Sequence, residues 1–146
     1  ARGGRDGVLY VWGDEGRPSV QGRNMANVGD ESTKWLHPSW RVLEGYDDGF
    51  AGTATVGSFP ANGFELFDMA GNAWEWCGDW YDAGYFGRSP SEDPQGPSSG
   101  TGRVVRGGSW SFNLQNLRLS NRDWNVPTYR QGAGSGFRAV RRALSP

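Results

Sequence analysis

The sequence contains no isoleucine and few other aliphatic residues. Leu, Val and Phe together make up roughly one residue in six, a proportion that by itself is typical of disordered chains. The aromatic residues argue against disorder, because 8 Trp, 7 Phe and 5 Tyr can each bury a large apolar surface and the formal net charge is only -1. We therefore expect a folded chain with an aromatic core. The tryptophans expected in that core include Trp74, Trp76, Trp80 and Trp110.

Cysteine and histidine are nearly absent, with one residue of each. Cys77 cannot form a disulfide within the chain, so the sequence indicates neither a disulfide scaffold nor a cysteine-rich zinc site, and the compartment stays open. We expect Cys77 to pack as a small apolar side chain rather than to take part in redox chemistry. His37 alone cannot complete a Ser–His–Asp or Cys–His arrangement.

Long apolar runs and basic stripes are also missing. No run approaches the ~18 apolar residues of a membrane-spanning helix, so we expect no membrane span. The basic residues are 14 Arg and the single Lys34, scattered among acidic residues, which does not indicate nucleic-acid binding. We interpret the arginines of the C-terminal part as partners in surface ion pairs, with an anion-binding groove as the alternative. They are Arg106, Arg118, Arg122, Arg130, Arg138 and Arg141.

Glycine is abundant, at 24 residues, and favours a fold rich in loops. Residues 5–60 alternate short apolar pieces with Gly, Asp, Asn and Pro clusters and predict irregular loops. Alternation of Trp74 and Trp76 with acidic residues predicts a strand. Residues 87–102 are rich in Pro, Gly and Ser and predict a surface loop within a single domain. Three antiparallel strands are predicted after that loop, in the alternating runs 103–110, 117–122 and 136–141.

Six short motifs occur in an order and spacing that resembles the formylglycine-generating enzyme superfamily over nearly the whole chain. The motifs are ARGG at 1–4, WG at 12–13, GFAGT at 49–53, GNAWEW at 71–76, RGGSW at 106–110 and GFR at 136–138. The resemblance implies a C-type-lectin-like fold, an irregular α+β domain with little regular secondary structure. In family members two helices and the opening strands precede the first motif. We therefore expect residues 1–146 to form the C-terminal part of one such domain, whose missing N-terminal portion is a partner that a separate chain could supply.

The same resemblance bears on catalysis. Family enzymes that oxidise a sulfatase cysteine bind copper through two cysteines, at the positions that Phe112 and Leu117 occupy here. Neither hydrocarbon side chain can bind Cu(I), which prefers thiolates, or act as a nucleophile. We therefore expect no copper and no catalysis by this chain.

The resemblance also implies two calcium sites built from oxygen donors, which suit Ca²⁺. The residues that correspond to the first site are Asp68, Gly71, Ala73 and Glu75. The residues that correspond to the second site are Asn27, Val28, Asp48 and Phe50. The alternative is that these side chains only cap turns or lie on a solvated surface. We expect calcium binding.

A second branch of the same fold, the variable proteins of diversity-generating retroelements, resembles the chain in its C-terminal loops. The predicted C-terminal loops contain apolar side chains such as those of Phe112 and Leu114, as expected of a binding surface on a rigid scaffold. Most of the loop residues can arise by rewriting adenines in Asn codons, whereas Gln115, Trp124 and Gln131 cannot. The hypothesis is a non-catalytic ligand-binding protein with a variable C-terminal surface. The alternative is an oxidoreductase like the formylglycine-generating enzymes, or an inactive relative of one.

The expected ligand is a protein rather than a carbohydrate, because nothing in these loops fixes a pair of carboxylates that would bind a sugar. The residues expected to contact the ligand are Ser111, Phe112, Asn113, Leu114, Gln115, Leu119, Asn121, Asp123, Trp124, Asn125, Val126, Thr128, Tyr129, Gln131 and Ala133.

Overall fold

The computed structural model describes residues 2–130 and 132–140, most of which lie in loops and turns. A first antiparallel pair consists of two short strands, β1 (Ser19–Val20) and β2 (Arg23–Asn24). The single α-helix of the described residues follows as α1 (Glu31–Leu36). The remaining strands are β3 (Trp74–Trp80), β4 (Arg103–Arg106), β5 (Asp123–Asn125) and β6 (Ser135–Gly136). They form one sheet in the order β5-β4-β3-β6.

Short 3₁₀ turns complete the described structure. They cover Tyr85–Gly87, Leu114–Leu117 and Gly132–Gly134. Within the described ranges, no helix is long and apolar enough to cross a membrane. Short strands, one short helix and long loops agree with the expected α+β class with little regular secondary structure.

Strand β3 confirms the strand predicted from the alternation around Trp74. It pairs antiparallel with β4, placing Trp76 opposite Val105, and a register shift between Trp76 and Trp80 marks a bulge. Trp74, Val104 and Val105 are buried, and because Val104 and Val105 are consecutive residues that point to opposite faces, the sheet is covered on both faces at β4. Strand β4 begins at the predicted residue, Arg103, but ends at Arg106, because Gly107 and Gly108 adopt positive φ angles that leave the extended conformation.

Two other strand predictions are wrong. Residues 117–122 form no strand, because the side chain of Asn113 accepts a hydrogen bond from the backbone N–H of Gln115 and starts a 3₁₀ turn instead. The strand in this region is β5, which begins at Asp123. The last strand, β6, pairs parallel with β3 rather than antiparallel. Alternation reports that one face is buried, but it does not determine the direction of pairing.

Helix α1 lies in the part of the chain for which the sequence predicts only loops. Its start is set by Asp30, whose Oδ1 accepts a hydrogen bond from the N–H of Thr33 at 3.1 Å. The other carboxylate oxygen of Asp30 accepts from the N–H of Asp48 at 2.5 Å. This buried carboxylate therefore joins the helix to the loop that contains Asp48.

The hydrophobic core is built from aromatic and small residues more than from aliphatic ones. Its members are Tyr10, Trp12, Ala26, Val28, Tyr46, Ala70 and Leu117. The rings of Tyr10 and Trp12 stack at 4.7 Å with an interplanar angle of 3°. Trp74, the first residue of β3, is buried, whereas Trp76, Trp80 and Trp110 are half-buried. The aromatic core is thus confirmed, with fewer fully buried tryptophans than expected.

The ion-pair interpretation of the C-terminal arginines holds for Arg138, which binds both carboxylate oxygens of Glu75. It is wrong for four others, which donate to backbone carbonyl groups and have no carboxylate partner among the described residues. These four are Arg106, Arg118, Arg122 and Arg130. Arg141 lies outside the described residues.

Gly71 and Asn72 form a junction between distant segments. The N–H of Gly71 donates to the carbonyl of Gly107 at 2.8 Å, and the N–H of Asn72 donates to the carbonyl of Asn27 at 3.0 Å. The side chain of Asn72 exchanges two hydrogen bonds with the backbone of Ala54. Its own carbonyl accepts from the N–H of Trp110. Three segments that are remote in the sequence therefore meet at one buried residue.

We predict that Gly71→Ala destabilises the fold. Gly71 has φ +79°, and an added Cβ would overlap the carbonyl group of Asn27. The free energy of unfolding should fall by at least about 1 kcal/mol in chemical denaturation. Gly78→Ala is the matched control, because Gly78 has open space around its Cα, and it should leave stability nearly unchanged. Equal effects of the two substitutions would contradict the junction.

Candidate functional site

The candidate site is built on the loop that follows β4. Two backbone hydrogen bonds fix the start of the loop. The N–H of Trp110 donates to the carbonyl of Asn72 and the N–H of Phe112 donates to the carbonyl of Ser109, both at 3.0 Å. At its end Leu117 is only 1 % exposed and belongs to the core. Residues 111–115 are therefore presented between two fixed points.

These residues form one wall of a groove of about 450 Å³, whose other wall is Val28, Gly29 and residues 41–43. We call it the 111–115 groove. Gly29 lies close beneath the loop, since an added Cβ would be 3.5 Å from the carbonyl oxygen of Trp110. The carbonyl of Gly29 also accepts a hydrogen bond from the N–H of Leu43 at 2.7 Å, which joins the two segments of that wall.

An aromatic stack adjoins the groove. The rings of His37 and Trp40 are 4.0 Å apart and nearly parallel, and Trp40 stacks on Trp110 at 5.8 Å. Trp40 and Trp110 each directly precede a residue of the groove, Arg41 and Ser111. His37 is thus held by ring stacking, and no carboxylate or thiol among the described residues pairs with it.

The positions that correspond to the family's copper ligands have different environments. Phe112 lines the groove and packs edge-on against Trp74, with ring centroids 5.6 Å apart. Leu117 is buried in the core against Tyr10 and Trp12. One position is therefore a groove wall and the other a packing residue.

The predicted ligand-contact residues lie in different described environments. Ser111 to Gln115 line the groove, whereas Trp124 lies on β5, stacks on Tyr81 at 6.0 Å and is 44 % exposed. Val126 and Tyr129 are exposed near it in the sequence. In the described part of the chain, no ring contact, hydrogen bond or shared cavity joins Phe112 to this second region, which we call the 124–129 patch.

The other predicted contact residues vary in accessibility. Leu119 is buried, at 6 % exposed, and does not line the 111–115 groove. Asn121 and Asn125 are half-buried, and Asp123, Thr128 and Ala133 are exposed. Gln131 lies outside the described residues. The sequence reasoning missed the groove wall formed by Gly29 and residues 41–43, because no local pattern links that wall to a loop so distant in the sequence.

The first predicted calcium set has one oxygen without a partner. Asp68 has φ +53°, and its Oδ2 accepts from the N–H of Gly57 at 2.7 Å, while its Oδ1 is buried and unpaired. Glu75 is already bound by Arg138, which also donates to the carbonyl of Asp68. The unpaired oxygen of Asp68 fits a cation ligand, but Arg138 already supplies positive charge to the other carboxylate of the set, that of Glu75.

In the second predicted set, the carboxylate of Asp48 has no ion-pair partner among the described residues, unlike that of Glu75 in the first set. Asn27 is fully buried, its Nδ2 donates to the carbonyl of Gly52, and its Oδ1 has no partner. Asp48 accepts from the N–H groups of Val28 and Phe50 at 2.9 and 2.8 Å. Burial, together with the negative charge of nearby Asp30, raises the pKa of Asp48 to about 7 despite these hydrogen bonds.

Both sets depend on amide and carbonyl oxygens as well as carboxylates. Within residues 2–130 and 132–140, no cluster of three or more His, Cys, Asp or Glu side chains is placed to hold a metal ion. The donor chemistry of the second set, a buried unpaired amide oxygen beside a buried carboxylate, fits a hard cation such as Ca²⁺.

Comparisons with known proteins agree with this architecture. The family model described as "Sulfatase-modifying factor enzyme 1-like domain" matches residues 1–143. Formylglycine-generating enzyme from Thermomonospora curvata is 39% identical, over 96% of this chain and 45% of its own length. The enzyme of the same name from Streptomyces coelicolor is 38% identical, over 96% of this chain and 42% of its own length.

Two solved structures are similar as well. Treponema denticola variable protein 1 gives a TM-score of 0.56 at 38% identity, over 64% of this chain and 33% of that one. PvdO from Pseudomonas aeruginosa gives a TM-score of 0.62 at 25% identity, over 89% of this chain and 50% of that one. The chain thus spans less than half the length of the two enzymes. Because the family model matches almost the whole of this chain, the chain belongs to the sulfatase-modifying factor enzyme 1-like family and has the C-type-lectin-like fold of the formylglycine-generating enzymes.

Proposed function

We propose that this chain is a non-catalytic ligand-binding module that recognises a protein segment through the 111–115 groove. The observation that carries the proposal is the pair Phe112 and Leu117, at the positions of the family's copper-binding cysteines. Neither side chain offers an electron pair to copper or a nucleophile to a substrate. Leu117 is in addition a core residue, so that position serves packing.

The groove supports binding of a peptide. Its volume of about 450 Å³ lies in the range of ordinary ligand sites, and its walls combine apolar side chains such as Val42 and Phe112 with a few polar ones. No acidic side chain is among its lining residues in the described structure. A protein segment is therefore favoured over a sugar that carboxylates would hold.

We further propose that the C-terminal loops are a variable surface of the retroelement type. Similarity to Treponema denticola variable protein 1 supports this reading at the level of the fold. The 111–115 groove and the 124–129 patch would then be two separate binding regions on one scaffold. The informative observation is genomic, namely a neighbouring reverse transcriptase gene and a near-copy of the codons for about residues 105–138 that differs only at adenines. A complete neighbourhood without both would remove this part of the proposal.

The competing candidate is a cysteine-oxidising enzyme, favoured by the identity of 39% to one formylglycine-generating enzyme and 38% to another. We predict that the full protein does not convert the cysteine of a sulfatase peptide when copper and oxygen are supplied. The product would be measured by mass spectrometry, with the Thermomonospora curvata enzyme as the positive control. Copper-dependent turnover would overturn the non-catalytic proposal.

Binding by the groove predicts an anchor role for Phe112. For a peptide selected from a random library on the full protein, Phe112→Ala should weaken affinity by about 2 kcal/mol, or roughly 30-fold. Phe64→Ala is the matched control, because Phe64 is 60 % exposed and lies outside the groove, and it should change affinity less than about twofold. Thermal melting would confirm that both variants fold. Equal losses in the two variants would argue against the groove.

We also propose that calcium binds the two sets at Asp68 and Asp48. An ion at ~100 times its Kd stabilises the folded state by about 2.7 kcal/mol, so thermal melts with calcium and with chelator should differ. Asp48→Asn and Asp68→Asn would show which set is responsible. Identical melts of protein shown to be metal-free by elemental analysis would remove the proposal.

The raised pKa of Asp48 adds a pH signature. With chelator present, the folded protein holds a proton that the unfolded chain releases near the ordinary carboxyl value of 3.8, so the free energy of unfolding should fall as pH rises from about 4 to about 7. Calcium should reduce this loss, because it compensates the ionised carboxylate. Asp48→Asn should remove the dependence, whereas a variant that keeps it in full would contradict the assignment. Urea unfolding at several pH values measures the effect.

A further inference from the structure

A second cavity, of about 520 Å³, lies away from the 111–115 groove, on the side of the sheet that carries Cys77 and Val104. Arg2, Arg106 and Arg122 line it, and Asp79 is the one acidic residue of its described lining. We call it the arginine pocket. The chain as a whole carries a formal net charge of -1, so this local excess of positive charge is not a property of the general surface.

The two central arginines lack counter-ions. Arg106 is half-buried and donates to the carbonyl groups of Leu119 and Asn121 through its two terminal nitrogens, each of which carries a second N–H group. Arg122 donates weakly to the carbonyl of Asp82 at 3.4 Å. Neither has a carboxylate within ion-pair distance in the described part of the chain.

Repulsion among the guanidinium groups is therefore only partly compensated, by Asp79 in the lining and by Asp82, whose carboxylate attracts Arg122. Burial lowers the pKa of Arg106, and the positive charges of Arg122 and Arg2 act in the same direction. Arg2 does face Asp6 at 3.7 Å, but that aspartate is almost fully exposed, so solvent screens the pair. An anion in the cavity would stabilise all three charges at once.

Aromatic contacts hold Arg122 at the edge of this cavity. Its guanidinium carbon lies 4.7 Å from the ring centre of Phe86 and 5.4 Å from that of Tyr81. Such contacts restrict the side chain without neutralising it, and the planar guanidinium can still offer two N–H groups to an oxyanion. Ser89 and Ser120 also line the pocket.

We propose that the arginine pocket is a binding site for an oxyanion group, a carboxylate or a phosphate, held by Arg106 and Arg122. The site is separate from the proposed peptide groove and does not depend on it. The ligand is either a free small anion or the anionic group of a larger ligand. The guanidinium groups would bind the oxyanion in the same way in both cases.

Cys77 provides a built-in reporter, because the only thiol of this chain lines the same pocket and is half-buried. Alkylation of Cys77 by the neutral reagent iodoacetamide would be followed by mass spectrometry of its peptide in the full protein. The anions tested would be inorganic phosphate and acetate, each compared with chloride at equal ionic strength. At about ten times its Kd, a bound anion leaves roughly one pocket in eleven empty, so alkylation should slow about tenfold.

The decisive comparison is between two variants with the same change in charge. Arg122→Gln should lose the protection, whereas Arg130→Gln should keep it, because Arg130 is exposed and donates only to carbonyl groups of its own loop. Phe112→Ala should also keep it, which separates this site from the peptide groove. Protection by phosphate alone or by acetate alone would identify the oxyanion.

Three results would overturn the proposal. The first is equal slowing by chloride, which would indicate ionic screening only. The second is equal protection in Arg122→Gln and Arg130→Gln. The third is a Cys77 that reacts in denaturant but not in the native protein, which would mean that the pocket is closed.

Discussion

The fold depends on hydrogen bonding by the buried amide of Asn72 and its neighbour Gly71. In a chain with so little helix and sheet, most backbone groups cannot be paired within regular elements, so buried loops need specific partners. Asn72 supplies them for Asn27, Ala54 and Trp110 at one point. The φ of +62° at Asn72 is unfavourable for a residue with a side chain, and the hydrogen bonds of three converging segments maintain it, whereas Gly71 adopts φ +79° without strain because it has no Cβ.

This junction also explains how residues 111–115 are held in place without thiols at positions 112 and 117. The carbonyl of Asn72 holds Trp110, and the core holds Leu117, so residues 111–115 stay in place through backbone contacts and apolar packing. Neither contact needs a thiol. A scaffold of this kind can carry an oxidase site or a recognition surface, and the side chains at a few loop positions decide which.

Charge is unevenly distributed despite the net charge near zero. Asp30 and Asp48 are buried without a positively charged partner among the described residues, and the oxygen of Asn27 beside them is unpaired. Across the molecule, Arg106 and Arg122 lack an anion. Buried charges without partners are costly, and these are the two places at which we propose ligands of opposite sign. The net charge of the sequence does not show this separation, because positive and negative charges cancel in the total.

The sequence by itself determined the family, through the order of six motifs, and the strands at Trp74 and Arg103, whose alternation is local. It also showed the absence of thiols at positions 112 and 117, since that is a matter of residue identity. Only the tertiary structure decided that β6 runs parallel to β3, that Leu119 is buried, and that Gly29 and residues 41–43 complete the groove. It likewise separated Phe112 from Trp124 and brought Arg2, Arg106 and Arg122 to one cavity. The physical reason is that a local pattern indicates which residues tend to be buried. It does not indicate which segment packs against each buried face, because long loops bring together segments whose sequences contain no signal of that pairing.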